Sequence, residues 1–532
     1  MTMLERNSTK IGECGMTDAF PDEPQFLRGS GCAGAGYLVD FRERRGQAPA
    51  EYGENGMKSN TRLAAFAVAF AAAAAVTADA KPTAGTPFAD NMVLQRGMAV
   101  PVWGTAEPGE TVKVAFAGQT KSAVAGRDGA WKVALDPMEA SKEPRTLEIS
   151  GKDGGEKIAN VLVGEVWFAC GQSNTECPIW GANPRYRDGQ GAVMTAMARR
   201  PFIRYAKNSR NVSLVPRLGW KAAWHDFSPE SFKATFPNNL SAIAFYYALE
   251  LYSALEIPVG IVDSSWGGTR IEPWTPACAF KTPPVMPKAA KPQTPTALWN
   301  GMVAAWTPFA MRGFIWYQGC SNIGNGAAYC GMMHALYAGW SREFANPNLK
   351  LYFVQLAPFS RSWFEVQKAQ AKFAEEEKNA AIVTTCDVGN SWDIHPNDKE
   401  TVARRLALHA LKRDYGFDWL IDDPPAPKAW KVEGDKVSLE FKGAKSFYFY
   451  NADRSQPKGF EIAGPDGAFK PAKILNKIAS GGTYAGSALE LKADGVAEPK
   501  RLRYLATKPW IGSLYSFDSG LPAGPFEIDL AK

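Results

Sequence analysis

The reactive residues of this chain gather behind short apolar runs. Val166-Trp-Phe-Ala-Cys170 leads into Gly171-Gln-Ser-Asn174, Pro258-Val-Gly-Ile-Val262 into a loop ending Trp266-Gly-Gly-Thr269, and Phe314-Ile-Trp-Tyr317 into Gln318-Gly-Cys-Ser-Asn322. A fourth run, Ala381-Ile-Val-Thr-Thr385, precedes Trp392-Asp-Ile-His-Pro396. Ser173 offers a hydroxyl, and a hydroxyl becomes a useful nucleophile only when a base takes its proton. The chain has four histidines. His334 and His409 fall inside helical patterns, and His225 lies in a polar loop with no strand before it. That leaves His395, in a loop after a strand and held by Pro396, as the general base. Acyl transfer also needs donors for an oxyanion. Gly267 and Gly268 allow close approach of a backbone N–H, and Gln318 supplies a side-chain amide, although glycine pairs and Gln-Gly steps also make ordinary turns.

These loops share one crevice if the four runs are parallel strands, because loops at the carboxyl ends of an open α/β sheet converge. From about Asn160 the sequence alternates strand and helix patterns, with Ile243, Tyr247, Leu251 and Leu255 on one helical stripe before the strand at Pro258. On either side the pattern differs. Thr111-Val-Lys-Val-Ala-Phe116, Ala130-Trp-Lys-Val-Ala-Leu135 and Arg145-Thr-Leu-Glu-Ile149 alternate between turn signals, as in a small β-sandwich over 81–159. After Pro424-Pro-Ala-Pro427 alternation returns in Lys436–Phe441 and Ser446–Tyr450, so 425–532 is expected to be β-rich and 160–424 to be the α/β catalytic domain.

Met57-Lys-Ser-Asn-Thr-Arg62, the apolar run Leu63 to Val76 and Ala78-Asp-Ala80 have the order of a secretory signal peptide, too short to span a membrane. The expectation is a start at Met57, cleavage near Ala80, and a periplasmic or extracellular protein of 452 residues; residues 1–56 show no helical or strand periodicity and are expected to come from a start assigned too far upstream. The formal net charge is +6, with basic residues spread rather than clustered, which gives no nucleic-acid footprint. There is no His-x-x-x-His or Cys-x-x-Cys, so neither a metal nor another cofactor is expected.

The segments Gly171–Asn174, Ile257–Pro276, Arg312–Asn322, Tyr352–Phe359 and Asp393–Pro396 together resemble the sialate O-acetylesterases, carbohydrate esterases of the SGNH-hydrolase superfamily. The similarity extends from about Phe88 to Leu530. It implies an SGNH-type, flavodoxin-like parallel sheet, an O-acetylated sugar as substrate, Ser173 as nucleophile, His395 as base, and Gly268 or Gly267, Gln318 and the Ser173 N–H as oxyanion donors. The superfamily places an aspartate three residues before the histidine, where this chain has Trp392. Asp393, two before, lies on the same side of an extended loop as His395 and is the expected third member. A backbone carbonyl or Asp387 are the alternatives. Arg270 is a candidate carboxylate clamp, and Trp266 and Trp180 are candidates for stacking on a sugar. Acetylated sialic acid is the expected substrate; acetylated xylan, or a binding protein with a decayed site, are the alternatives.

Two positions depart from the family pattern. Cys320 stands where the family has a glutamate, and Cys177 where it has an apolar residue. In an oxidising compartment these two are expected to form a disulfide, with a Cys320–Cys330 pairing or two unbonded buried cysteines as the alternatives.

Overall fold

The computed structural model describes residues 81–179, 201–218, 220–235, 240–389, 392–449, 458–477, 479, 482–507 and 512–531. The expected extension and signal segment, and Trp180, lie outside the described residues. Among the described residues no helix is long and apolar enough to cross a membrane.

A parallel sheet organises the middle of the chain. Its strands are β1 (Gly154–Gly171), β2 (Ile203–Lys207), β4 (Val259–Ser265), β5 (Gly313–Tyr317), β6 (Lys350–Val354) and β7 (Ala380–Val383), with β3 (Trp224–Asp226) antiparallel at one edge. The order across the sheet is β3-β2-β4-β1-β5-β6-β7. Strand β1 is central and buried without a break from Val161 to Gly171, which is why its sequence reads as a continuous apolar run rather than an alternation. Helices α1 (Ser173–Glu176), α2 (Ala242–Leu255), α3 (Gly326–Glu343), α4 (Phe364–Glu376) and α5 (Lys399–Asp414) follow these strands or their loops. Ser241 caps α2 by accepting from the Ala244 N–H at 3.2 Å, and Asp398 caps α5 by accepting from the Thr401 N–H at 2.8 Å. His225 lies on β3 rather than in a polar loop; its ring packs on Tyr205, 5.2 Å between centroids, on the strand beside it.

The strand ends set up the site. Ser265 is level with Gly171, and Gly171 with Tyr317, so three strands stop at one line and release their loops on the same edge. Gly171 makes the first departure: its φ is +143°, and a Cβ there would stand 2.3 Å from the Tyr317 carbonyl oxygen. Only glycine lets the chain turn toward Ser173 so close to β5.

Antiparallel strands flank this sheet. Before it, Val100–Thr105 pairs with Ala130–Leu135, and Thr111–Phe116 with Gln119–Val124 and Ser141–Gly151. The last of these pairs with the first half of β1, so β1 runs unbroken across the boundary expected at 159/160 and belongs to both regions. Beyond Ala426 come a seven-stranded and a three-stranded antiparallel sheet, with a separate apolar core around Val437, Leu439, Phe460, Leu489 and Leu502.

Glu165, fully buried on β1, joins the N-terminal strands to the parallel sheet and the end of α5. Its carboxylate meets Arg96 at 2.6 Å and Arg312 at 3.1 Å, and accepts from Gln95 Nε2 at 2.9 Å and the Tyr415 hydroxyl at 3.0 Å. Burial by itself would lower the Arg312 pKa, yet Glu165 holds it above its ordinary value. Glu165→Ala therefore strands two guanidinium groups. It is expected to cost about 3–5 kcal/mol in urea unfolding. A loss of about 1 kcal/mol or less, typical of a surface pair, would contradict this account of the junction.

Candidate active site

Ser173 begins α1 immediately after β1 turns, and His395 comes from the loop between β7 and α5. They are 222 residues apart in sequence, and His395 Nε2 lies 2.9 Å from Ser173 Oγ. With Nε2 as acceptor, the other ring nitrogen carries the proton, and Nδ1 lies 3.3 Å from Asp393 Oδ1. The same carboxylate oxygen accepts the His395 main-chain N–H at 2.9 Å. Asp393 is thus folded back beside the ring on its own loop. Asp387, the other carboxylate considered, is committed elsewhere: it takes two hydrogen bonds from Arg405, at 2.8 and 2.6 Å, and one from Tyr515.

The loop after β4 lies against the serine. Trp266 N–H donates to the Gly171 carbonyl at 3.0 Å, and a Cβ at Gly267 would lie 3.3 Å from Ser173 Cβ. The Gly267 N–H, however, donates to Glu176 Oε2 at 2.8 Å and so points away from an oxyanion. Gln318 is likewise spent internally. Its amide nitrogen donates to the Thr269 carbonyl at 3.1 Å and to Asn322 Oδ1 at 2.8 Å, while its oxygen accepts the Tyr329 hydroxyl at 2.6 Å. It braces the loop that carries Gly267 and Gly268 instead of facing the serine. Gly268 has φ +74° and nothing within 4 Å of where a Cβ would be, so its backbone borders open space.

A serine hydroxyl, an imidazole in contact with it and a glycine loop beside it form an arrangement capable of acyl transfer. Residues 163–412 match the family described as carbohydrate esterase, sialic acid-specific acetylesterase. A solved carbohydrate acetylesterase from Xanthomonas citri is 31% identical, with a TM-score of 0.73, over 84% of this chain and 99% of that one. The chain belongs to the sialate O-acetylesterase family. Among its relatives, the sialate O-acetylesterase of Pongo abelii is 28% identical over 493 residues, 82% of this chain and 90% of that protein. The human sialate O-acetylesterase is 28% identical over 420 residues, 70% of this chain and 77% of its own length. The protein is a carboxylic ester hydrolase.

In this esterase the serine and histidine loops are fastened by groups that the sequence analysis did not single out. Asn174, next to Ser173, donates from Nδ2 to the carbonyl of Ile394, the residue before His395, at 2.9 Å. Its Oδ1 accepts from Lys399 Nζ at 2.6 Å, and Lys399 also donates to the Pro396 carbonyl at 2.6 Å. Lys399 is 3% exposed. Burial brings its pKa down to about 8 against the opposing pull of Cys177, Asp393, Cys320 and Asp398. A lysine in the first turn of a helix, on a face otherwise filled by Val402, Ala403 and Leu406, was the available signal.

The expected disulfide is not present: neither Cys177 nor Cys320 is in a disulfide. Each instead lies near the Lys399 ammonium. Burial pushes the Cys320 thiol up to about 12, so at the position where the family has a carboxylate this chain has a neutral group.

Around the serine, Glu176 accepts from Arg210 Nε at 2.6 Å, and the Arg210 guanidinium lies 5.6 Å from the Trp266 ring centroid. Arg270 pairs with Glu272 at 2.8 Å and with Asn325, which makes it a structural tie. Of the other tryptophans near these loops, Trp274 and Trp316 are core, whereas Trp392 is 81% exposed in the loop of Asp393 and His395.

Lys399→Met is expected to lower kcat by about tenfold or more with little change in KM, because a small misplacement of catalytic groups is costly. It should also alter the pH dependence of stability. Between about pH 8 and 10.5 the unfolded wild-type chain holds the Lys399 proton and the folded chain does not, so stability rises with pH in that window. Urea unfolding at pH 7 and pH 9.5 should show less of this rise in Lys399→Met. An unchanged kcat together with an unchanged pH slope would refute the role given to Lys399.

Proposed function

We propose that this protein is an exported carbohydrate O-acetylesterase that removes O-acetyl groups from sialic acids through an acetyl-Ser173 intermediate. The 2.9 Å contact between His395 Nε2 and Ser173 Oγ carries the mechanism. Ser173 Oγ attacks the acetyl carbonyl as Nε2 takes its proton, and the backbone N–H groups of Ser173 and Gly268 receive the oxyanion. Collapse of the tetrahedral intermediate breaks the bond to the sugar oxygen, which leaves with the proton from His395. His395 then deprotonates a water that attacks the acetyl-enzyme, and acetate departs. Asp393 keeps the ring oriented and stabilises its protonated form.

Taken in chain order, β1, β4, β5, β6 and β7 lie in the sequence 2-1-3-4-5, which supports the flavodoxin-like, SGNH-type assignment. The signal-like segment over 57–80 supports export. For the substrate, Arg210 offers a half-exposed guanidinium beside Trp266, placed to meet a sugar carboxylate, and Trp392 offers an exposed ring to an apolar sugar face. Acetylated xylan, the alternative, has no such carboxylate on its acetylated residue. The contact between Ser173 and His395 also favours a working hydrolase over a decayed binding protein, despite Cys320.

Ser173→Ala is expected to reduce acetate release by a factor on the order of a thousand or more, from 4-nitrophenyl acetate and acetylated sialic acid alike. Near-normal turnover in the variant would end the proposal. Arg210→Gln should raise KM for acetylated sialic acid by about tenfold, the loss of one hydrogen bond to a charged group, and leave KM for 4-nitrophenyl acetate unchanged. Better hydrolysis of acetylated xylan than of acetylated sialic acid by the wild type would transfer the assignment to the polysaccharide.

A further inference from the structure

We infer that Cys330, His334 and Glu376 form a binding site for a divalent transition-metal ion, with zinc the best-fitting class, at the junction of helices α3 and α4. Cys330 and His334 are four residues apart on α3 and therefore lie one above the other on one face. Glu376, the last residue of α4, is brought to them by the packing of the two helices. Its Oε2 lies 2.9 Å from His334 Nε2 and 3.4 Å from Cys330 Sγ, and the three ligand atoms are all within 4.8 Å of one another. Bonds of about 2.0–2.3 Å in a tetrahedral centre put ligand atoms roughly 3.3–3.8 Å apart. Small side-chain rotations suffice to reach that spacing.

The arrangement lies outside the familiar sequence patterns of paired histidines or paired cysteines at close spacing. One Cys-x-x-x-His step on a helix becomes a site only when a second helix supplies the third group. The surroundings hold the ligands in place. The His334 ring is set edge-on against Phe373, 4.8 Å between centroids, and Glu376 Oε1 faces Lys372 Nζ at 3.7 Å, which leaves Oε2 turned toward the cysteine and histidine. Cys330 is nearly buried, whereas the His334 and Glu376 side chains are 37% and 44% exposed, so an ion can enter from solvent.

The donor set selects the class of ion. A thiolate and an imidazole with one carboxylate suit zinc and disfavour magnesium or calcium, which require oxygen ligands. Three protein ligands leave a fourth position for water. His334 also lines a surface cleft together with Tyr337, Arg342, Asn346 and Glu377. On binding, the Cys330 thiol releases its proton to solvent, and a bond forms from its sulfur to the ion. The consequence is a clip between α3 and α4. α4 also carries Gln370, whose Nε2 donates to the Gln318 carbonyl at 3.2 Å, so the clip bears on the loop that supports Gly267 and Gly268 without touching Ser173.

The test titrates chelator-treated full-length protein with zinc and follows three readouts. One equivalent of zinc should bind in competition with a metallochromic dye, raise the Tm, and slow alkylation of Cys330 by iodoacetamide as mapped by peptide mass spectrometry. The exposed Cys278, whose thiol contacts Glu343 with no histidine ligand, should stay reactive and serves as the internal control. Glu376→Gln, a conservative surface change, should weaken zinc binding by more than about tenfold, the loss that removing even an outer partner of a metal ligand brings. Cobalt should give a sulfur-to-metal charge-transfer band in the wild type that is missing in Cys330→Ser. Zinc binding that is unchanged in Glu376→Gln, or Cys330 alkylated equally fast with and without zinc, would overturn the site.

Discussion

The active site depends on a buried ammonium. Lys399 holds Asn174 and the Pro396 carbonyl together, and Asn174 in turn holds the Ile394 carbonyl, so the residues flanking Ser173 and His395 are bonded to one another. The Ser173–His395 contact spans loops more than two hundred residues apart, and side-chain hydrogen bonds this short-ranged fix it where strand pairing cannot reach. Holding a charge at this place is costly. A pKa brought from 10.5 to about 8 corresponds to about 3 kcal/mol against the charged form. That cost is borne where geometry matters most, since catalytic groups lose effectiveness steeply with displacement.

The second layer of support comes from the parallel sheet. Three strands ending level at Gly171, Ser265 and Tyr317 deliver Ser173, the Gly267-Gly268 turn and Gln318 to one edge. Amide and carboxylate side chains then join the loops: Gln318 to Thr269, Glu176 to the Gly267 N–H, and Gln172 to the Gly319 N–H at 3.1 Å. A polar network of this kind is satisfied internally and keeps the glycine turn pressed against the serine.

Much of this was legible in the sequence, for physical reasons. A strand buried on both faces leaves an unbroken apolar run, so β1, β4, β5 and β7 could be found, and with four histidines the partner of Ser173 could be sought by elimination. The roles of Gln318, Gly267 and Arg270 were not legible, because whether a donor faces substrate or a neighbouring carbonyl depends on partners distant in sequence. His225 was misplaced for a similar reason: a three-residue edge strand has too short a pattern to stand out from a loop. Cys177 and Cys320 were expected to bond to each other, whereas neither is in a disulfide and both lie near Lys399. Burial is what depresses the lysine pKa, and burial also keeps the thiol at position 320 neutral.

The central claim is that Asn174 and Lys399 hold Ser173 in contact with its base, and labelling with a fluorophosphonate tests it most directly. The reagent reacts only with a serine whose proton has an acceptor. Peptide mass spectrometry of the labelled wild type is predicted to place the adduct on Ser173, and Asn174→Leu, which cuts the tie to both Ile394 and Lys399, is predicted to label about tenfold more slowly or worse. An adduct on another residue, or equal labelling rates in the two proteins, would contradict the account.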